Sequence, residues 1–296
     1  MKTYSHCPIC NHQQFQHYLT CKDYTCSNEA FDIVHCDNCQ FVFTNPIPEE
    51  KEIHKYYESE EYTSHSNTSK GIVNTLYQYV RTITTNKKVA LIKSLSKGKK
   101  LLDIGSGTGE FLNACQKRNL DVIGIEPSET GRLQSIENFQ LSVYQEDKLS
   151  SLADSSFDFI TMWHVLEHVY HLNDRIKAIH RLLKEDGHLI VAVPNRDSQD
   201  ANHYKEHWAA YDVPRHLYHF SPNDIENLFS NHQFQLIKTL PMVFDAFYVS
   251  MLSEKYKKGK LNLFAAFLNG LKSNLKANNK RYSSQIYILK KKKGAE

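Results

Sequence analysis

From about residue 99 onward, short apolar runs alternate with segments of helical spacing. Leu101-Leu102-Asp103-Ile104 reads as a buried strand. It breaks at Gly105, Gly107 and Gly109, and Phe111, Leu112, Ala114 and Cys115 then recur at helical intervals. Asp121 to Ile125 forms a second such strand, ending at Glu126-Pro127, and a third unit reaches Glu146-Asp147. A fourth run, Phe157 to Trp163, leads into His164-Val165-Leu166-Glu167-His168. A helix from Asp174 to Leu183, a turn at 184–187 and a strand from His188 to Val193 follow, closing at Pro194-Asn195. This rhythm predicts a doubly wound α/β fold, a mostly parallel sheet of seven strands, with Gln285 to Leu289 completing it as an antiparallel member.

The flanks differ from this core and predict four regions: a cysteine-rich module over 1–45, a helical linker or cap over 46–98, the α/β core over 99–245, and basic C-terminal helices with the final strand over 246–296. In the linker, Pro48-Glu49-Glu50 opens a helix running through Tyr57, and Ile72, Val73, Leu76, Tyr77, Val80 and Ile83 show helical spacing. The stretch from Tyr56 to His65 is rich in aromatics and hydroxyls. It suits either packing of the module on the core or a cap over a cofactor. Near the end, Leu261, Leu263, Phe264, Phe267, Leu268, Leu271 and Leu275 carry the spacing of an amphipathic helix.

The glycine loop carries the first chemistry. Glycines let backbone approach a ligand closely, and the helix that follows offers unpaired N–H groups. A dinucleotide fold wants a third glycine at position 110, where this chain has Glu110. A glutamate at a helix start also repels a pyrophosphate. S-adenosylmethionine, with its sulfonium and ammonium, suits the loop better, and Asp103 at the strand end can hold the ammonium. Glu126, ending the next strand, can accept hydrogen bonds from ribose hydroxyls.

LLDIGSGTGEF, GIEPS, SSFDFITMWHVLEHV, LLKEDGHLIVAVPN and VPRHLYHFS together resemble the class I S-adenosylmethionine-dependent methyltransferases, over roughly residues 75 to 240. The resemblance implies a Rossmann-like fold and methyl transfer. It places Asp103, Gly105, Ser106 and Gly107 along the methionine and ribose side, with Glu126 and Pro127 at the ribose. Glu146 or Asp147 would sit near the adenine, and Trp163 and His164 would flank the methionine.

Cys7-Pro8-Ile9-Cys10 and Cys36-Asp37-Asn38-Cys39 form two C-x-x-C knuckles with 25 residues between them. Two such turns make a tetrahedral thiolate site for structural Zn2+, a zinc-ribbon-like module. Disulfides are the alternative, and a reducing cytoplasm disfavours them. Cys21 and Cys26 have the wrong spacing for a knuckle, and Cys115 reads as packing. With no apolar leader after Met1 and no run long enough to span a bilayer, the chain is expected in the cytoplasm.

Residues 203–221 concentrate the acid–base groups: His203, His207, Tyr211, Asp212, Arg215, His216 and His219. Ser221-Pro222 then starts a helix. Methyl transfer to a hydroxyl or carbon needs an oriented acceptor and a base. His216 is the first choice for that base, with Arg215 orienting an acceptor carboxylate or phosphate and Tyr211 in the same loop. His168 and His164 are rivals. A metal site built from these histidines is set aside for want of ligand spacing.

Charge bears on partners. Residues 1–45 hold two lysines and four acids, which argues against nucleic acid. Residues 255–296 hold twelve basic residues and one acid, beside the apolar stripe. That end suits an anionic membrane surface, peripherally bound at its inner face; alternatively the helix packs on the core or in a homodimer, with the lysines solvated, and the second arrangement is preferred. The expected partner is a small-molecule, sugar-nucleotide or lipid-linked acceptor. The alternatives are a nucleic-acid methyltransferase and a non-catalytic zinc scaffold. The absent Asn/Asp-Pro-Pro-aromatic tetrapeptide argues against the first, and the intact Asp103 and Glu126 against the second.

Overall fold

A computed structural model describes residues 1–58, 72–278 and 281–293. Residues 59–65 of the aromatic, hydroxyl-rich stretch lie outside them. The N-terminal module contains β1 (Phe15–Lys22), β2 (Ala30–Cys36) and β3 (Val42–Thr44), followed by a 3-10 segment over Glu50–Tyr56. Helix α1 (Ile72–Leu95) leads to β4 (Lys100–Ile104), α2 (Glu110–Gln116), β5 (Asp121–Ile125), α3 (Glu129–Phe139), β6 (Val143–Tyr144) and α4 (Lys148–Ser151). Next come β7 (Phe157–Trp163), α5 (Leu172–Leu182), β8 (Leu183–Pro194), α6 (Gln199–Tyr204) and β9 (Tyr218–His219). The chain ends with α7 (Pro222–Asn231), β10 (Phe234–Pro241), α8 (Asp245–Lys258), α9 (Leu263–Lys276) and β11 (Ser284–Lys291).

The main sheet has seven strands in the order β10-β11-β8-β7-β4-β5-β6. Strands β8, β7, β4, β5 and β6 run parallel, and β11 pairs antiparallel with both β8 and β10. The apolar runs that read as buried strands lie here, covered on both faces as parallel strands must be. One face packs Ile176, Ile179, Leu182, Leu228 and Phe229 from α5 and α7; the other packs Val89, Ile92, Leu112 and Cys115 from α1 and α2. Helix α7 opens as its sequence predicts. Ser221 accepts from Asp224 N, Asp224 accepts from Ser221 N, and Pro222 stands at the first position.

The second sheet, β1-β2-β3-β9, takes its last strand from the loop after β8. The cysteine module is therefore woven into the core rather than tethered beside it. Phe41, Phe43 and Ile47 are fully buried in the same apolar cluster as Leu102, Ile104 and Met162. Each such side chain contributes about 1.5–3 kcal/mol. Around Trp208, Tyr211 and Val213 a smaller core joins Cys21, Phe31, Ile33 and Val42 of the module to Val249 of α8.

Arg215 rivets this junction. Its guanidinium, 1% exposed, meets both Asp212 carboxylate oxygens at 3.0 and 2.6 Å, Asp23 Oδ1 at 2.9 Å and the Tyr56 carbonyl at 2.7 Å. Burial pushes Asp23 up, but Arg215 and the amides of Ser27 and Thr25 outweigh it and hold the carboxyl below its usual range.

Helix α9 turns its apolar stripe away from the protein, which leaves the membrane and second-copy alternatives for that stripe open. Helix α9 packs through Ala266, Gly270 and Ser273, with Gly270 against Phe247 of α8, while Leu263, Phe264, Phe267, Leu268, Leu271 and Leu275 face outward. Small residues fill the inner face because the two helices lie too close for more. A Cβ at Gly270 would come within 2.9 Å of Phe247 Cα.

Removing one partner of a buried ion network leaves the others uncompensated. Arg215→Gln is expected to lower stability by about 3 kcal/mol, measured as a shift of the urea midpoint at unchanged slope. A midpoint within error of the parent would show that the module is held by apolar packing alone.

Candidate functional site

The glycine loop joins β4 to α2 at the carboxyl edge of the sheet. Gly105, Gly107 and Gly109 take φ of +76°, +54° and +85°, and a Cβ at Gly105 would come within 2.3 Å of Val165 Cγ2. A Cβ at Gly107, by contrast, would meet nothing within 4 Å, so the loop opens there. Glu126, after β5, accepts from Gly107 N at 2.8 Å and Ser128 N at 2.9 Å, leaving each oxygen a further lone pair. Ser106 Oγ and Trp163 Nε1 are buried without hydrogen-bond partners. Native structures rarely leave such atoms unpaired, so the cradle fits a polar ligand.

Asp103 is 2% exposed and accepts from Thr161 Oγ1 at 2.6 Å. Burial pushes its carboxyl up to about 7 against the opposing effects of Thr161 and Lys88. Lys88, from α1, lies over the Trp163 ring at 4.3 Å from the centroid, and burial lowers its pKa despite Asp245 and Asp103 nearby. Sequence reading passed over this lysine; its only signal was a cation within an otherwise ordinary helix. Glu146 and Asp147 follow β6 at the same edge. Glu146 pairs with Arg175, and Asp147 stands at the start of α4. Pro127 lies beside Glu126 at the surface.

The turn after β7 builds a second cluster. His164 has φ +56°, a strained value for a side chain of its size. Its Nε2 is 3.0 Å from Asp245 Oδ2 at the start of α8, and its Nδ1 is 3.4 Å from Glu167 Oε1. Burial opposes its charge, but Asp245 and Glu167 prevail and raise its pKa to about 9. Glu167 is fully buried, and neither carboxylate oxygen has a hydrogen-bond partner. The rings of His168 and His216 meet edge-on, with centroids 4.6 Å apart. His168 Nδ1 is 3.0 Å from both the Arg215 carbonyl and Tyr57 Oη; His216 Nδ1 is 2.9 Å from the Ala210 carbonyl. Carbonyls only accept, so Nδ1 carries a proton in both rings, and in a neutral ring Nε2 is then the lone-pair atom; His216 Nε2 lies 3.9 Å from Asp212 Oδ2. Burial and the neighbouring His216 lower the His168 pKa to about 4.

Other residues of the predicted loop have different duties. Arg215 is consumed by Asp212 and Asp23 and is not available to orient an acceptor, because its donors are satisfied inside the protein. Tyr211, 3% exposed, packs edge-on against Trp208 and His219, and burial drives its phenol upward. His219 Nε2 meets Thr44 Oγ1 at 3.0 Å in the junction between the module and the core. Besides Lys88, the sequence reading gave no role to Glu167. A glutamate inside an apolar turn is the signal that marked it.

The knuckle thiols converge. Cys7, Cys10, Cys36 and Cys39 place their sulfurs within 4.8 Å of one another; Cys7–Cys39 and Cys10–Cys36 are each 3.5 Å apart, and none is in a disulfide. The two turns repeat one design. Asn11 N donates to Cys7 O and Gln40 N to Cys36 O, and Asn11 and Gln40 share φ of +61°. Tetrahedral Zn2+ at about 2.3 Å from each sulfur needs sulfurs roughly 3.8 Å apart, so the four fit a structural zinc ion. Cys21 and Cys26 fall outside the cluster.

Comparison with known proteins agrees with this geometry. Residues 77–239 match the family described as Methyltransferase domain. The chain is 32% identical over 108 residues to the ubiquinone biosynthesis O-methyltransferase of Alkalilimnicola ehrlichii, covering 34% of this chain and 44% of that protein. Its namesake in Pseudomonas aeruginosa is 34% identical over 107 residues, with 34% and 46% covered. The chain thus spans less than half the length of these relatives. In fold it is similar to magnesium protoporphyrin IX methyltransferase from Synechocystis PCC 6803 with S-adenosylhomocysteine bound. That likeness has a TM-score of 0.54 at 16% identity, over 81% of this chain and 99% of that one. Phosphoethanolamine N-methyltransferase 2 of Haemonchus contortus, in complex with S-adenosyl-L-methionine, gives a TM-score of 0.50 at 17% identity, covering 70% and 53%.

In the ligand-free protein the Asp103 carboxyl titrates near pH 7, and a bound cation favours its ionised form. Affinity for S-adenosylmethionine is therefore expected to rise with pH, approaching tenfold per unit below about pH 7, and to level above it. Calorimetry at several pH values, in buffers of different ionisation enthalpy, should also show a released proton. A dissociation constant that does not move between pH 6 and 8 would remove Asp103 from the binding site.

Proposed function

The chain belongs to the methyltransferase-domain family, and from that premise we propose that it moves a methyl group from S-adenosylmethionine to a hydroxyl of a small-molecule acceptor. The observation that carries this reading is the pairing of two sites at one sheet edge. The glycine cradle with Glu126 suits the cofactor, and the turn after β7 packs Val165 on Gly105 and carries Glu167 and His168 beside His216. Gly105, Ser106 and Gly107 line the cradle, and Glu126 takes the ribose. Trp163 and the His164 cation border the methionine portion. Bound cofactor supplies an electrophilic methyl carbon. The protein's task is to hold the acceptor oxygen in line with that carbon and to relieve it of its proton. His216 Nε2 is the base in this reading, and His168 and Glu167 frame the same space. Ubiquinone precursors, acted on by relatives over the matched stretch, favour oxygen as the methylated atom.

A lipid-linked acceptor is favoured by the α8–α9 hairpin. Phe264 and Leu275 are 75% and 74% exposed on the outward face of α9, with Leu261, Leu263, Phe267, Leu268 and Leu271 beside them. Lys257, Lys258, Lys260, Lys272 and Lys276 lie on the same hairpin. An apolar stripe flanked by lysines matches an anionic bilayer surface. The hairpin begins at Asp245, which holds His164, so a docked hairpin would bring the site to the lipid. Among the described residues no helix is long and apolar enough to cross a membrane, so contact would be peripheral.

Glu126→Ala is expected to weaken cofactor binding at least tenfold by calorimetry, with zinc content unchanged. His216→Ala should keep the cofactor affinity and lose about two to four orders of magnitude in kcat with a hydroxyl acceptor. Parental turnover in that variant would end its role as base. For the hairpin, co-sedimentation with phosphatidylglycerol vesicles should exceed that with phosphatidylcholine alone, and Phe264→Glu should weaken it about tenfold or more. A stable dimer by light scattering, with no vesicle binding, would assign the face to a second copy instead.

A further inference from the structure

We infer that Glu167, His168 and His216 form a divalent-metal site separate from the four-cysteine cluster. Each offers one ligand atom, and the three lie within 4.8 Å of one another. A cation bound at about 2.1 Å places neighbouring nitrogen and oxygen ligands roughly 3 Å apart, so the three atoms would close by an ångström or two on binding, chiefly through the Glu167 side chain. Two imidazoles and one carboxylate on one side of an ion is an arrangement that iron, manganese, cobalt and zinc accept, with the remaining positions open.

Three features separate this cluster from a chance gathering. First, both imidazoles are prepared as ligands. Backbone carbonyls of Arg215 and Ala210 hold the Nδ1 protons at 3.0 and 2.9 Å, so both Nε2 atoms are lone-pair donors of fixed orientation. Such second contacts are what metal-bound histidines ordinarily have. Second, Glu167 is fully buried, yet both oxygens lack a hydrogen-bond partner. Its nearest cation, His164 Nδ1, stands 3.4 Å away, and Arg215 is turned toward Asp212 and Asp23. The His164 cation pairs with one side of this carboxylate and leaves acceptor capacity on it unused, which a bound ion would take up. Third, the ligands come from two segments that only the β9 junction brings together. Sequence spacing therefore gives no hint of the site, which overturns the reason for setting a histidine metal site aside.

Metal binding does not depend on the methyl-transfer reading, but its consequence rests on it. An acceptor hydroxyl that replaces water on the ion would ionise at lower pH. Its O–H bond breaks, the proton passes to solvent water, and the freed oxygen pair attacks the methyl carbon as the methyl–sulfur bond breaks, its electron pair returning to sulfur and S-adenosylhomocysteine leaving. His216 then acts as ligand in the ion-loaded protein and as base only in the ion-free one.

The test is a Co2+ titration of the full, zinc-loaded chain without cofactor or acceptor. One further equivalent of cobalt is expected, with visible d–d absorption of nitrogen and oxygen ligation and no thiolate-to-cobalt charge-transfer band. Glu167→Gln and His168→Asn should each weaken that binding about ten- to hundredfold while one zinc per chain is retained. Asparagine can still donate to the Arg215 carbonyl, so His168→Asn tests ligation even if the glutamine variant fails to fold and loses its zinc. The inference is overturned by no cobalt uptake beyond the zinc, by uptake only through displacement at the thiolates, or by binding that His168→Asn leaves unchanged. Because no methyl donor is present, a failed methyl-transfer assay leaves this result standing, and the reverse also holds.

Discussion

The buried Arg215 guanidinium is the contact on which the remaining arrangement depends. One planar cation satisfies Asp212 in its own loop, Asp23 in the cysteine module and the Tyr56 carbonyl at the edge of the linker. Three segments distant in sequence thereby converge on one point. A lysine could not do this, since a point charge lacks the fork that engages both oxygens of Asp212 while reaching Asp23. With the loop held there, the Arg215 and Ala210 carbonyls fix the His168 and His216 rings. The arginine therefore shapes the site without facing it, and the four-cysteine module gains a reason to be present. It closes the sheet whose last strand, β9, begins at Tyr218, just beyond His216 and Leu217.

The site itself follows from the logic of a parallel sheet. Every β-strand from β4 to β8 releases its polar residues at one edge, where chain reversals leave a crevice. Left-handed backbone collects at that edge too: three glycines that adopt positive φ freely, and His164 with φ +56°. Two of these positions are held by specific neighbours. Val165 excludes a side chain at Gly105, and Asp245 holds His164 from outside the sheet. The result is a preorganised cavity edge with unpaired polar atoms, Ser106 Oγ, Trp163 Nε1 and the Glu167 oxygens, rather than a closed core.

The α8–α9 hairpin extends the same principle outward. Close helix packing through Ala266, Gly270 and Ser273 leaves no interior room for the large apolar side chains of α9, so they project to the surface. The hairpin is also tied inward: Ser273 bonds Asp200, which in turn accepts from Trp208 of the loop, and Asp245 meets His164. Surface and site are thus parts of one rigid connection.

The sequence by itself determined the strand and helix order, the glycine loop at the sheet edge and the four-cysteine cluster. These rest on local signals: period in apolar residues, glycines at a strand end, and thiols paired two apart on a single turn. Glu126 and the four cysteines were legible because their partners lie in motifs of fixed spacing. What the tertiary structure decided is the fate of each charged or aromatic side chain between residues 203 and 221. Arg215, Tyr211 and His216 look equally available in the sequence, yet one is buried in an ion network, one in an aromatic core, and one beside Glu167. The same is true of α9, whose apolar spacing left membrane, core and second-copy packing open, and whose large side chains the closeness of α8 turns outward. Availability of a polar group depends on which distant donors and acceptors reach it first, and that competition is settled only when the chain is packed.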